Sequence, residues 1–180
     1  MRETGIVRRI DELGRVVIPK EIRKTLRIKE GDPLEIFTDK EELVLKKYSP
    51  VLSVMEFAGG VAESISKLTE KTCVITDTDN VIFVSGGKKE MLGKNLSGEI
   101  DKVMKERKSV VVSSSDGGKT IPVIENSFDE PVSQIIVPII ASGDVFGSVI
   151  LSGDDKQEKL SDVDIKMVRL GAMFLAKQLE

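Results

Sequence analysis

The 180-residue chain is 40% hydrophobic and 32% charged, and no apolar run approaches the roughly 18 residues of a spanning helix, which leaves room for one large domain or two small ones and none for a helical membrane anchor. It has no histidine and a single cysteine, Cys73, so an internal disulfide, a Cys/His zinc site and a histidine general base are excluded. The net charge of -3 hides an asymmetry: residues 1–48 hold 12 basic and 10 acidic side chains, the remainder 15 and 20, and six of the eight arginines fall within the first 27 residues.

The first twenty residues carry eight charges, which no signal-peptide core tolerates, so the expected location is cytoplasmic. Residues 4–10 and 15–18 are short β-branched runs separated by a turn signal at Gly14, and both are predicted strands. Pro19 ends the second run and suits the first turn of a helix over 20–26, whose Ile22 and Leu26 share one face and are expected to point at the core. Gly31-Asp32-Pro33 breaks that helix, and 34–38 with 43–46 form a hairpin around 39–42. A ββαββ unit of under fifty residues without disulfide or metal needs a second copy, so at least a dimer is expected.

Ser49-Pro50 is a good helix start, and Val51, Val54, Met55, Ala58, Val61, Ala62, Ile65 and Leu68 continue as a helical stripe. Gly59 and Gly60 inside it cost on the order of 2 kcal/mol against alanine, so packing from outside must support this linker helix. Strands are predicted at 72–76, 81–84, 110–113, 120–124, 134–140 and 145–151, with a helix over 97–107. A last helix starts at Ser161, whose spacing to Asp164 fits a capping box. That helix bears two apolar stripes, one through Leu160, Val163, Met167, Leu170 and Phe174, the other through Ile165, Val168, Ala172, Leu175 and Leu179. One sheet cannot cover both, so one stripe must meet another element, for which the linker helix of another subunit is the natural candidate. The fold class is α+β, with domains expected at 1–48 and 70–180 joined by a linker helix over 49–69.

Two short strings are discounted. Gly118-Lys119-Thr120 has the tail of a phosphate loop, but Ser113 stands where its first glycine belongs and the residues after it read as strand. Asn95-Leu96-Ser97 is a turn and helix cap in a chain without a secretion signal. Cys73, between β-branched residues, reads as a buried small hydrophobe, with a redox sensor as the alternative.

The most informative string runs Leu13-Gly14-Arg15-Val16-Val17-Ile18-Pro19-Lys20-Glu21-Ile22-Arg23, with Thr4-Gly5-Ile6-Val7-Arg8 before it and Gly31-Asp32-Pro33-Leu34-Glu35-Ile36 after. Over essentially all of residues 1–48 it resembles the AbrB-type swapped-hairpin DNA-binding domain of bacterial transition-state regulators. The resemblance implies a β-barrel-like dimer with one short helix, in which hairpins of two chains interleave and present basic side chains to double-stranded DNA. Carried over by motif position, the DNA-binding residues are Arg8, Arg15, Arg23 and Lys24. Lys24 stands where the commoner pattern has a second arginine, and keeps a phosphate contact without bidentate recognition. Strand alternation places Arg8 and Arg9 on opposite faces, and Arg9 is left unassigned.

Cys73 to Asp77, Val81 to Gly86, and Val137 to Ile140 with Gly143 and Gly147 resemble the strand pairs of GAF-type sensory domains, which implies an antiparallel sheet with flanking helices. GAF-like domains bind small effectors or serve only to join subunits, and both roles stay open. Asn126 to Glu130 shares letters with a cyclic-nucleotide motif of some GAF domains, but not its spread, and is set aside. Together the two resemblances imply a non-enzymatic regulator of sporulation genes, without cofactor or metal, assembled as a tetramer from two kinds of interface. The alternatives are an AbrB-like antitoxin and a GAF-type methionine sulfoxide reductase, the latter disfavoured by the lone thiol.

Overall fold

The computed structural model describes residues 5–40, 42–48, 54–127, 131–155 and 160–180, apart from the side chain of residue 55. The chain divides into two compact units, Met1–Tyr48 and Ser49–Glu180.

The first unit contains a short helix α1 (Lys20–Thr25) and a hairpin of β1 (Leu34–Asp39) and β2 (Glu42–Lys47), paired antiparallel from Leu34 opposite Lys47 to Asp39 opposite Glu42. Pro19 occupies the position before α1, where its missing N–H costs nothing, and Leu26 closes the helix by donating its N–H to the Ile22 carbonyl. Behind it Asp32 accepts from the Lys29 N–H at 2.7 Å and pairs with the Lys47 ammonium at 3.1 Å, which ties the turn after α1 to the end of β2.

Two expectations for this unit are corrected. Residues 5–10 and 15–18 contain no strand, because a strand exists only where a neighbouring backbone completes its ladder and none among the described residues does so for them. The supposed core face of α1 is not buried either: Ile22 is half-buried and Leu26 is 56% exposed. Val7, Ile10, Leu13 and Val17 are also exposed, so one copy of the unit has a pattern of apolar residues and nothing to bury them against.

The second unit is built on a five-stranded, wholly antiparallel sheet of β3 (Thr72–Thr76), β4 (Val81–Ser85), β5 (Val110–Ser113), β6 (Ser133–Ala141) and β7 (Asp144–Gly153), in the order β4-β3-β7-β6-β5. Side chains alternate between its faces. Cys73, Ile75, Ile135, Val137, Ile139, Val149 and Leu151 point to one side, where α2 (Met55–Thr69) contributes Ala58, Ala62 and Ile65 and α4 (Asp162–Gln178) contributes Val168, Ala172 and Leu175. Val74, Ile136 and Ile150 point to the other, beneath α3 (Gly98–Glu106) with Ile100, Val103 and Met104. Helices therefore cover both faces.

The helix signals in the sequence act as expected. Ser97 caps α3 by accepting from the Ile100 N–H, and Ser161 with Asp164 forms a reciprocal capping box at α4. The start expected for α2 at Ser49-Pro50 lies outside the described residues. Gly59 is buried, and a Cβ there would sit 3.0 Å from the Phe83 ring, so a residue that weakens the helix locally lets it approach the sheet closely. Lys71 and Asp164, both buried, pair at 3.8 Å and join the entry to β3 with the first turn of α4.

A third expectation is corrected at residues 120–124, which form no strand beyond an isolated bridge between Leu96 and Ile124. Pro122 lacks an N–H, and the side-chain amide of the buried Gln134 takes the place of a neighbouring strand, accepting from the Ile121 N–H and donating to its carbonyl, both at 2.9 Å.

A Cβ at Gly147 would overlap the Thr76 carbonyl oxygen, where β7 crosses the end of β3. Gly147→Ala is expected to destabilise the second unit by about 3 kcal/mol, through forced backbone displacement in a packed sheet, and urea unfolding of the full chain measures it.

Candidate nucleic-acid interface

The basic residues expected to contact DNA occupy three places in the first unit. Arg8 and Arg15 flank a loop, and Arg23 and Lys24 share the last turn of α1. All four are exposed. Arg8 donates only to the neighbouring Val7 carbonyl, at 3.5 Å, and Arg8, Arg23 and Lys24 have no carboxylate partner among the described residues. Cations left without partners on an open surface are available to phosphates.

Arg15 is different. The loop between Asp11 and Arg15 closes through the Asp11 N–H donating to the Arg15 carbonyl at 3.1 Å and the Gly14 N–H donating to the Asp11 carbonyl at 3.0 Å. Gly14 takes φ of 76°, a left-handed conformation suited to glycine. Within the loop Asp11 Oδ1 accepts from the Leu13 and Arg15 N–H groups, at 3.0 and 2.8 Å, while Oδ2 accepts from Arg15 Nε at 2.8 Å. One carboxylate thus folds the turn and holds the arginine side chain. The Arg15 backbone and then its side chain, both donating to this carboxylate, hold the Asp11 pKa below its ordinary value of 3.8. Nothing in the sequence reading singled out Asp11. The signal was present, since an aspartate three residues before a turn glycine favours bonds to the backbone just ahead of it.

On the hairpin, the Lys46 ammonium lies 4.9 Å from the centre of the Phe37 ring. Ile36 and Leu43 on the same hairpin are exposed.

The second unit carries a different kind of surface. Of the two apolar stripes on α4, the one through Val168, Ala172 and Leu175 covers the sheet, and the one through Val163, Leu170 and Phe174 is exposed. Phe174 meets Phe57 of α2 edge-on, with ring centres 6.0 Å apart, so the two helices are neighbours within one chain, where the sequence had suggested the linker helix of another subunit. Between them runs a groove of about 560 Å³ lined by Phe57, Val61, Leu68, Met167, Leu170 and Phe174, with Glu56 and Ser64 as its polar members. Cys73 lies elsewhere, fully buried in the core, where desolvation pushes its thiol up to about 12.

A family model described as "Stage V sporulation protein T C-terminal, transcription factor" matches residues 53–180. The chain belongs to the stage V sporulation protein T family. Stage V sporulation protein T of Bacillus subtilis is 45% identical to it over 183 aligned residues, covering 100% of this chain and 99% of that protein. Transition state regulatory protein AbrB of the same organism is 49% identical over 76 residues, 42% of this chain and 78% of that protein. A second model, "Antidote-toxin recognition MazE, bacterial antitoxin", matches residues 7–53. Among solved structures, the GAF domain of an Acinetobacter phosphoenolpyruvate-protein phosphotransferase superposes with a TM-score of 0.56 at 14% identity, over 74% of this chain and 84% of that one. At that identity the likeness concerns the fold, and the antiparallel sheet with helices on both faces is GAF-like.

The ion pair of the loop predicts an acid titration. Because the folded carboxylate is held below 3.8, its contribution to loop order is complete above that pH and is lost as pH falls through the lower folded value. The Asp11 carboxyl carbon, followed by NMR, should titrate below 3.8, and Arg15→Ala should move it up part of the way, since the backbone N–H of residue 15 remains. A midpoint at or above 3.8 in the unaltered chain would contradict the geometry.

Proposed function

We propose that this chain, a sporulation transcription factor of the stage V sporulation protein T family, grips duplex DNA in the cytoplasm through residues 1–48 of two interleaved copies, with Arg8, Arg15, Arg23 and Lys24 of each copy as the contact residues. The observation that carries this reading is the state of the first unit: Arg8, Arg15, Arg23 and Lys24 are exposed, and Val7, Ile10, Leu13, Val17 and Leu26 are left exposed by the described residues. A second copy laying its extended segments against these would complete the missing ladders, bury the apolar side chains and double the number of arginines on one surface. The AbrB relative, aligned with 42% of this chain, supports the same assignment.

The second unit is proposed to join such dimers in pairs. Its sheet is filled on both faces by side chains of the chain itself, which favours an assembly role over a ligand held within the core. The exposed stripe of α4 and the neighbouring groove along α2 offer an apolar face for the same elements of another subunit, giving a tetramer with two DNA-binding units. A toxin-neutralising role has the antitoxin model over residues 7–53 in its favour, but leaves the packed second unit without a task.

Two measurements test these readings. If about six of the eight cations of a dimer meet phosphate, the slope of log affinity against log salt is expected near roughly -5, with Arg15→Ala or Arg23→Ala weakening binding by about 1–3 kcal/mol and Lys24→Ala by less. A slope near zero would refute the electrostatic grip. In sedimentation equilibrium the full chain should weigh four subunits and the fragment 1–48 two; a full-length species that stays dimeric at micromolar concentration would refute the paired assembly.

A further inference from the structure

The Asp11 carboxylate does more to Arg15 than pair with it. A guanidinium has two recognition edges, one made by Nε with an Nη and one made by the two Nη groups. Asp11 Oδ2 takes the Nε–H at 2.8 Å, and no other hydrogen bond to the Arg15 side chain is made among the described residues. The edge formed by the two Nη groups is left for a ligand. The other carboxylate oxygen is occupied by the Leu13 and Arg15 N–H groups, so Asp11 cannot rotate towards solvent without opening the turn. The side chain of Arg15 is nevertheless 71% exposed, so the pair sits at the surface and is not part of a core.

We infer that Asp11 is a positioning residue for sequence preference: it buttresses Arg15 through Nε so that the free Nη edge meets a base edge or phosphate in one orientation. This deepens the DNA-binding reading and rests on it. The physical reason is the entropy of a long side chain. An unbuttressed arginine reaches any nearby phosphate in many rotamers, which adds affinity without preference, whereas one held at Nε keeps the parallel pair of donors that a guanine edge requires. The carboxylate also places a negative charge beside the duplex, which lowers the affinity for every sequence alike and leaves discrimination to the fork. The sequence neighbour Glu12 makes no bond to Arg15, so the role belongs to Asp11 and not to local acidity.

Asp11→Asn separates these effects. The amide oxygen can still accept from the Leu13 and Arg15 N–H groups and preserve the turn, while the amide nitrogen, a donor, cannot accept from Arg15 Nε. The full chain and its Asp11→Asn, Arg15→Ala and doubly substituted forms are each offered a random-sequence duplex pool at fixed salt, and the bound fraction is sequenced. Total affinity for the unselected pool is measured alongside, and thermal unfolding checks the fold.

The expected result is that Asp11→Asn binds the unselected pool as tightly as the unaltered chain or up to about fivefold more tightly. It should lose about fivefold or more of the base preference at the positions that Arg15→Ala also flattens. In the Arg15→Ala background the same change should leave the preference untouched. Base preference at those positions retained in full by Asp11→Asn would overturn the inference, as would an equal loss of preference in both backgrounds. If the unaltered chain fails to retain duplex, it is the DNA-binding reading that falls. Should Asp11→Asn unfold the loop, Asp11→Ser, whose hydroxyl oxygen can still accept from a backbone N–H of the turn but is too short to hold Arg15 Nε, is put through the same selection with the same outcomes deciding.

Discussion

Apolar surface that a short chain cannot bury against itself governs this protein. In the first unit Val7, Ile10, Leu13, Val17, Leu26, Ile36 and Leu43 lie open, while the ordered contacts are local: a hairpin, one and a half turns of helix, and two aspartate-centred turns. Burial of each such side chain is worth roughly 1.5–3 kcal/mol, against an ordering cost of about 1–2 kcal/mol per residue of backbone, so a unit of this size has little to hold it together until the apolar set is covered. In the proposed dimer a second copy would cover that set and bring the basic residues of two copies onto one surface, so that folding and DNA contact would answer to one requirement.

The second unit meets the requirement alone. Its five antiparallel strands alternate side chains into two cores, one under α2 and α4 and one under α3, and several polar groups within it are paired, although the buried Ser133 hydroxyl is not. Gln134 takes the role of a strand for Ile121, Lys71 is paired with Asp164, and the Thr76 and Ser148 hydroxyls bond at 2.8 Å. Among the apolar surface it leaves open are one stripe of α4 and the groove beside α2. A packed unit with an open apolar face fits the proposed role of joining dimers, in which linking two DNA-binding units raises their effective concentration.

Charge is divided in the same way. Arg8, Arg9, Arg15 and Arg23 of the first unit are exposed, and Arg15 is held by Asp11 at Nε with its outer edge free. A bonded arginine in a DNA-binding surface would ordinarily count as lost to recognition. Here the bond is local, four residues apart in a glycine turn, and restrains the side chain without covering it.

Local signals in the sequence determined much of this protein. Ser97, Ser161 with Asp164, and Pro19 act over three or four residues, and each marked a helix start where the structure has it, whereas α1 ends at Thr25, ahead of the Gly31-Asp32-Pro33 break. Runs rich in β-branched residues marked β3, β6 and β7, and the clustering of arginines marked the basic unit. What failed were the features that depend on a partner distant in sequence. Residues 5–10 and 15–18 have strand-forming side chains and no ladder among the described residues, and residues 120–124 yielded theirs to the side chain of Gln134. Which stripe of α4 covers the sheet was undecidable from periodicity, since both are apolar; the position of α2 beside it settled that Val168, Ala172 and Leu175 go inward. Asp11 reads as one acid among many until Gly14 turns the chain back and brings Arg15 onto its carboxylate. Short-range propensity is written residue by residue, whereas pairing and burial are properties of surfaces that exist only once the chain has folded.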